Sequence, residues 1–157
     1  MKHLLAAGML LAAFPITSSI QGAEAMSQTA KGTFSVQMKP DGEPSSADGV
    51  SLGRMLLSKT FEGDLAGTGE GQMLTAMTPV KGSAGYVAIE RVTGTLNGKK
   101  GSFVFQHTGS MNRGEQSLSI TVVPDSGTDE FAGISGVFRL TIEGGKHYYE
   151  FEYSLAP

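Results

Sequence analysis

From Ala30 onward, apolar and polar positions alternate with a period of two, and no segment sustains a helical period. Phe34, Val36 and Met38 stand against polar partners between Thr33 and Met38, the pattern of a strand with one buried face. Pro40 to Gly49 reads as a loop, because Asp41-Gly42, Pro44 and Asp48-Gly49 are turn chemistry. A second strand is expected over Leu52 to Phe61, a turn at Gly63-Asp64, and a third strand over Leu65 to Met77. In that third strand Gly67, Gly69 and Gly71 fall on one face, where they let another backbone or a bulky side chain come close.

After the break at Pro79 to Ser83, a fourth strand runs from Tyr86 to Leu96. Asn97-Gly98 is the strongest hairpin signal, since both residues tolerate the positive φ of a type I′ turn. The return strand covers Lys99 to Met111, and Asn112-Arg113-Gly114 turns again. Leu118, Ile120 and Val122 alternate on a sixth strand. Pro124 to Ala132 is a longer connection, with Ser126-Gly127-Thr128 as the cap of one helical turn or, less simply, an anion-binding start. Val137 to Ile142 and Lys146 to Leu155 complete the set around Glu143-Gly144-Gly145. Eight strands with short turns predict an all-β fold, a closed, mainly antiparallel eight-stranded barrel. A two-sheet sandwich is the alternative, although its crossovers need longer connections. Eight strands enclose packed side chains or one small ligand.

The first 25 residues follow a different pattern. Met1-Lys2-His3 is a positive start, Leu4 to Phe14 an unbroken run of apolar and small residues, and Ala23-Glu24-Ala25 a small-residue cleavage site. These are the three parts of a secretory signal, and the run is too short to span a membrane. Residues 1–25 are thus expected to be a signal peptide and residues 26–157 a single domain, exported to the periplasm or beyond. If translation starts at Met26, the same domain stays in the cytoplasm.

Composition narrows the chemistry. There is no cysteine, which excludes disulfides, thiolate catalysis, Cys-ligated zinc and iron–sulfur clusters. The 22 glycines in 157 residues are about twice ordinary usage and fit a chain of many turns. A net charge of −3 lacks the basic footprint of a nucleic-acid binder, and Lys99-Lys100 reads as a solvated pair at a turn. H-E-x-x-H, Walker and Rossmann motifs are missing from the sequence. Only His107 and His147 follow the signal, too few for a His-rich zinc site, so neither metal nor cofactor is expected.

Val80-Lys81-Gly82-Ser83-Ala84-Gly85-Tyr86-Val87-Ala88-Ile89-Glu90, Gly101-Ser102-Phe103-Val104-Phe105-Gln106-His107-Thr108-Gly109 and Val122-Val123-Pro124-Asp125-Ser126-Gly127-Thr128 resemble the DUF3224 family of bacterial proteins of unknown function. The resemblance extends over about residues 28–155. It implies an allene oxide cyclase-like barrel and no established activity. Many members resemble cytosolic proteins starting near Met26, so the signal is a departure from the family.

The Asn97-Gly98 turn sets a register in which Glu90 faces Phe105 and Ala88 faces His107. Tyr86, Glu90, Phe103, Phe105 and His107 then share a face, with Glu90 and His107 as diagonal neighbours. Placed inside the barrel, they either lock each other in the core, contact a ligand, or exchange a proton. Val87, Ile89, Arg91, Val104 and Gln106 form an opposite face that is also fairly apolar, which leaves inside and outside open and makes a homo-oligomer one way to cover it. On the last strand His147, Tyr149, Phe151, Tyr153 and Leu155 alternate with Tyr148, Glu150, Glu152 and Ser154. Tyr86, Glu90, Phe103, Phe105, His107, Tyr149 and Tyr153 are therefore the ligand-binding candidates. Three functions compete: a non-catalytic binder of a small apolar or amphipathic ligand, a cyclase- or isomerase-like enzyme using Glu90 and His107, and an oligomeric structural protein with a filled barrel.

Overall fold

The computed structural model describes residues 26–156; the expected signal at residues 1–25 lies outside them. The strands are β1 (Gln28–Pro40), β2 (Ser45–Ala47), β3 (Val50–Gly63), β4 (Leu65–Met77), β5 (Ala84–Leu96), β6 (Lys99–Asn112), β7 (Glu115–Val122), β8 (Ser135–Glu143) and β9 (Lys146–Ser154). A 3-10 turn, Asp129–Phe131, lies between β7 and β8. Consecutive strands from β2 to β9 pair antiparallel, and β1 pairs with β9 on one side and β3 on the other, which closes an eight-stranded barrel. Closure removes the open edges of a flat sheet.

Alternation sets which side chains point inward. Leu57, Lys59 and Phe61 of β3 point into the barrel beside Val36 and Phe34 of the adjacent β1, while Leu56, Ser58 and Thr60 point out. The β5–β6 register is the one dictated by the two-residue turn: Leu96 pairs with Lys99, Glu90 with Phe105 and Ala88 with His107. Asn97 and Gly98 take φ of 48° and 83°, as such a turn requires. The side carrying Ala88, Glu90 and Val92 is the interior. The other side leaves Val87 and Ile89 exposed, beside Leu74, and Arg91 in solvent.

Two expectations need correction. The segment Pro40–Gly49 is not wholly a loop, since Ser45–Ala47 pairs with Val50–Leu52 as β2. Asp48 and Gly49 both take positive φ and fold this short hairpin on themselves. Thr128 precedes the 3-10 turn without a side-chain cap. Its Oγ1 instead accepts the Ser102 N–H at 3.0 Å, tying the connection to β6.

The core fills one half of the barrel. Phe103, Phe105, Phe138, Phe151 and Tyr153 pack there with Leu65, Val92 and Leu96. Phe131 and Ile134, from the β7–β8 connection, are buried with them and plug the end. Ring centroids 4.9–5.7 Å apart link Phe103 to Phe105 and Phe131 edge-on and to Phe151 stacked, arrangements that add to the burial of the rings. β7 and β8 meet at one residue pair, Thr121 and Val137. The pairing of β1 with β9 stops at Phe34 and His147, so Ser35–Pro40 pair only with β3.

Candidate functional site

The other half of the barrel is hollow. A cavity of about 390 Å³ opens between the β4–β5, β6–β7 and β8–β9 turns. The reason is side-chain volume. On this side of Glu90 the inward positions carry Met73, Thr75 and Met77 on β4, Ala84 and Tyr86 on β5, and Gly109 and Met111 on β6. Apart from Tyr86, these are small or flexible where the packed half has phenylalanines. Val36, Leu57, Leu118, Ile120 and Leu140 make the remaining wall largely apolar. Two turns at the rim are tied together, with the Gly114 N–H donating to Gly82 O at 2.9 Å and the Arg113 N–H to Ser83 Oγ at 3.0 Å.

A charged cluster divides the two halves. Glu90 is fully buried, and Lys59 and His107 are nearly so. Lys59 Nζ donates to Glu90 Oε2 at 2.7 Å. His107 Nε2 lies 2.9 Å from the same oxygen. It is not aligned as a regular hydrogen bond, so the contact is a close polar one that becomes an ion pair when the imidazole is protonated. Lys59 and His107 line the cavity, while Glu90 sits behind them. Lys59 Nζ also lies 5.0 Å from the Phe34 ring centroid and 5.7 Å from that of Phe61, within reach of cation–π attraction.

The glycines of β4 explain how a carboxylate fits there. A Cβ at Gly69 would overlap Glu90 Oε1 and crowd the Phe61 ring. The glycine face expected from sequence is thus interior, and at Gly69 the close neighbour is the Glu90 side chain. Oε1 has no hydrogen-bond partner among the described residues. Burial pushes the Glu90 carboxyl up, but the His107 contact and the Lys59 charge outweigh it and hold it below its ordinary value. The carboxylate is therefore ionised at neutral pH. Tyr86, half-buried on the cavity wall, has its phenol pushed up by burial and then by the Glu90 charge.

The seven residues singled out from sequence separate into two groups. Tyr86 and His107 line the cavity, and Glu90 lies beneath it. Phe103, Phe105, Tyr149 and Tyr153 belong to the packed half and are not cavity residues. Their polar atoms are already occupied. The Tyr149 hydroxyl accepts the Leu65 N–H at 2.9 Å and donates to Leu65 O at 3.1 Å. The Tyr153 hydroxyl accepts from Asn97 Nδ2 and donates to Gln28 Oε1, both at 2.9 Å. Burial nonetheless raises the Tyr149 phenol, and the Leu65 bond only partly offsets this. His147, from the same strand, reaches the cavity and lies with its ring 4.9 Å from that of Phe34.

Lys59 is the site residue that sequence reading missed. Its signal was present: a lysine between Leu57 and Phe61 at period two puts a cation on an apolar face. Among the described residues it is the one buried lysine. Among those residues no group of three His, Cys, Asp or Glu side chains could hold a metal ion, and no helix is long and apolar enough to cross a membrane.

A family model described as "Protein of unknown function (DUF3224)" matches residues 30–153. The crystal structure of a DUF3224-family protein of unknown function from Shewanella oneidensis MR-1 is similar, with 47% sequence identity and a TM-score of 0.80. The similarity covers 84% of this chain and 99% of that one. No match was found among curated proteins.

Proposed function

The chain belongs to the DUF3224 family of proteins of unknown function, and we propose that it binds one small, largely apolar molecule in the hollow half of its barrel without transforming it. The observation that carries this reading is the contrast within one lumen. A packed plug closes one end, and a cavity of about 390 Å³ with apolar walls and a buried Lys59–Glu90–His107 floor occupies the other. A concave apolar site with a few convergent polar groups is the usual form of a small-molecule pocket. The ligand is accordingly amphipathic: its body meets Leu57, Met73, Leu118 and Leu140, and its polar end meets Lys59 or His107.

Titration with a solvent-sensitive apolar fluorophore tests this directly. Enhancement that saturates at one probe per chain, and disappears in Thr75→Trp while the fold is kept, is the expected result. No saturable binding by the wild-type protein sinks the proposal.

One observation favours a second reading, a cyclase- or isomerase-like enzyme of the allene oxide cyclase-like kind. Glu90 shares a single oxygen with an amine and an imidazole, an arrangement able to pass a proton at a cavity wall. His107→Gln separates the two readings, because it would abolish turnover and leave binding. Export to the periplasm or beyond is part of the proposal, and the N-terminal residue of protein recovered from the producing cell tests it.

A further inference from the structure

We propose that Lys59 condenses reversibly with the carbonyl group of an apolar aldehyde or ketone, so that the barrel holds its ligand as a protonated imine with Glu90 as the counter-ion. The inference rests on the reading of the cavity as a ligand pocket and names the chemical class of that ligand.

Three observations select a carbonyl compound. The first is position: Lys59 is the one buried lysine of the described residues, and it lines the inner end of an apolar cavity. The second is charge. Glu90 Oε2 at 2.7 Å already balances the ammonium, so a ligand carboxylate would bring a second anion into a buried site with its cation taken. Burying an unmatched charge is costly. A neutral carbonyl brings none. The third is that Glu90 is fully buried and ionised, and so requires a cation beside it both before the ligand binds and once it is held. An imine that carries a proton supplies that cation, whereas acylation of Lys59 would remove it. The site thus favours condensation over acyl transfer.

The atoms balance without a further reactant. Glu90 takes a proton from the Lys59 ammonium across the 2.7 Å contact. The freed amine lone pair forms a bond to the carbonyl carbon, and the π pair moves to oxygen, which takes a proton from the attacking nitrogen. Glu90 then returns its proton to the hydroxyl group, water leaves, and the nitrogen lone pair completes the C=N bond. The sum is aldehyde plus ammonium giving iminium plus water, with Glu90 again a carboxylate. Phe34 and Phe61, whose rings flank Nζ, stabilise a cation there before and after the step.

The test is reductive trapping. The purified protein is incubated with naphthaldehyde and cyanoborohydride, and the adduct is located by peptide mapping; fluorescence follows probe binding separately. The expected result is one adduct per chain, on Lys59, formed roughly tenfold or more faster than on any exposed lysine, as for a reactant held in place. Lys59→Arg, which keeps the charge but cannot condense, should give no adduct at residue 59. Saturable probe binding with adducts spread over Lys31, Lys99, Lys100 and other exposed lysines overturns this inference and leaves the ligand-pocket reading intact. Neither binding nor an adduct at Lys59 overturns both. Mapping the wild-type protein decides the matter even if Lys59→Arg fails to fold.

Discussion

The two halves of the barrel are built from the same strands with the same inward–outward alternation, yet one is solid and the other hollow. In the solid half Phe103, Phe105, Phe138 and Phe151 reach the axis, and Phe131 and Ile134 close the end. In the hollow half Ala84, Gly109 and Thr75 stop short of it, and methionines line the wall. The difference teaches that the barrel frame does not by itself create a site. Stability resides in the half where side-chain volume matches the lumen, which frees the other half to leave space. The Lys59–Glu90–His107 cluster is the boundary, and it belongs to both: sealed by the core on one side and facing the cavity on the other.

The comparison can be broken most forcefully from the solid side. Phe151→Ala removes a fully buried ring from the centre of the stack and should cost about 3–5 kcal/mol, read as a lower urea midpoint. Next comes the boundary. Lys59→Met strands an ionised, fully buried Glu90 and should cost about 3–5 kcal/mol, whereas pairing it with Glu90→Gln should recover most of the loss. No recovery in the double variant would mean that the cluster is not a charge-balanced unit.

Acid gives a smaller effect with a defined sign. The folded-state pKa of Glu90 is below its ordinary value of 4.5, so the native state binds that proton less readily than the unfolded chain. Its contribution is complete above the ordinary value and is lost as pH falls through the depressed one. Wild-type stability should therefore drop below about pH 4.5 by more than that of the Lys59→Met/Glu90→Gln variant. Parallel acid profiles would remove Glu90 from the account. The smallest effect belongs to the hollow side: Met73→Ala, on the open wall, should cost about 0.5 kcal/mol or less while altering probe affinity. A loss equal to that of Phe151→Ala would erase the distinction between the halves.

Much of the frame was legible in the sequence because it rests on local rules. Asn97-Gly98 admits one register, and that register alone places Glu90 beside His107. β2 escaped because three residues with no apolar face carry no period. The partition into solid and hollow halves escaped for a different reason. Tyr149 and Tyr153 alternate just as cavity residues would, but their hydroxyls end on Leu65, Asn97 and Gln28, partners more than 50 residues away along the chain. Which aromatic meets a ligand depends on what fills the lumen opposite it, and the pattern within one strand does not contain that. Lys59 had a local signal, a cation on an apolar face, but its partner Glu90 lies two strands away.

The seam between β1 and β9 governs how the molecule comes into being. Gln28 pairs with Tyr153, and their side chains bond across a separation of 125 residues. Contacts so distant in sequence close slowly. A chain still emerging from the ribosome has its first strand waiting, edge bare, until the last one is made. During that wait the outward Leu74, Val87 and Ile89 and the unclosed inner face are all open to neighbouring chains. A product cut short before Lys146 would not form a smaller barrel; it would be a curled sheet with two sticky edges, destined for aggregation or a protease.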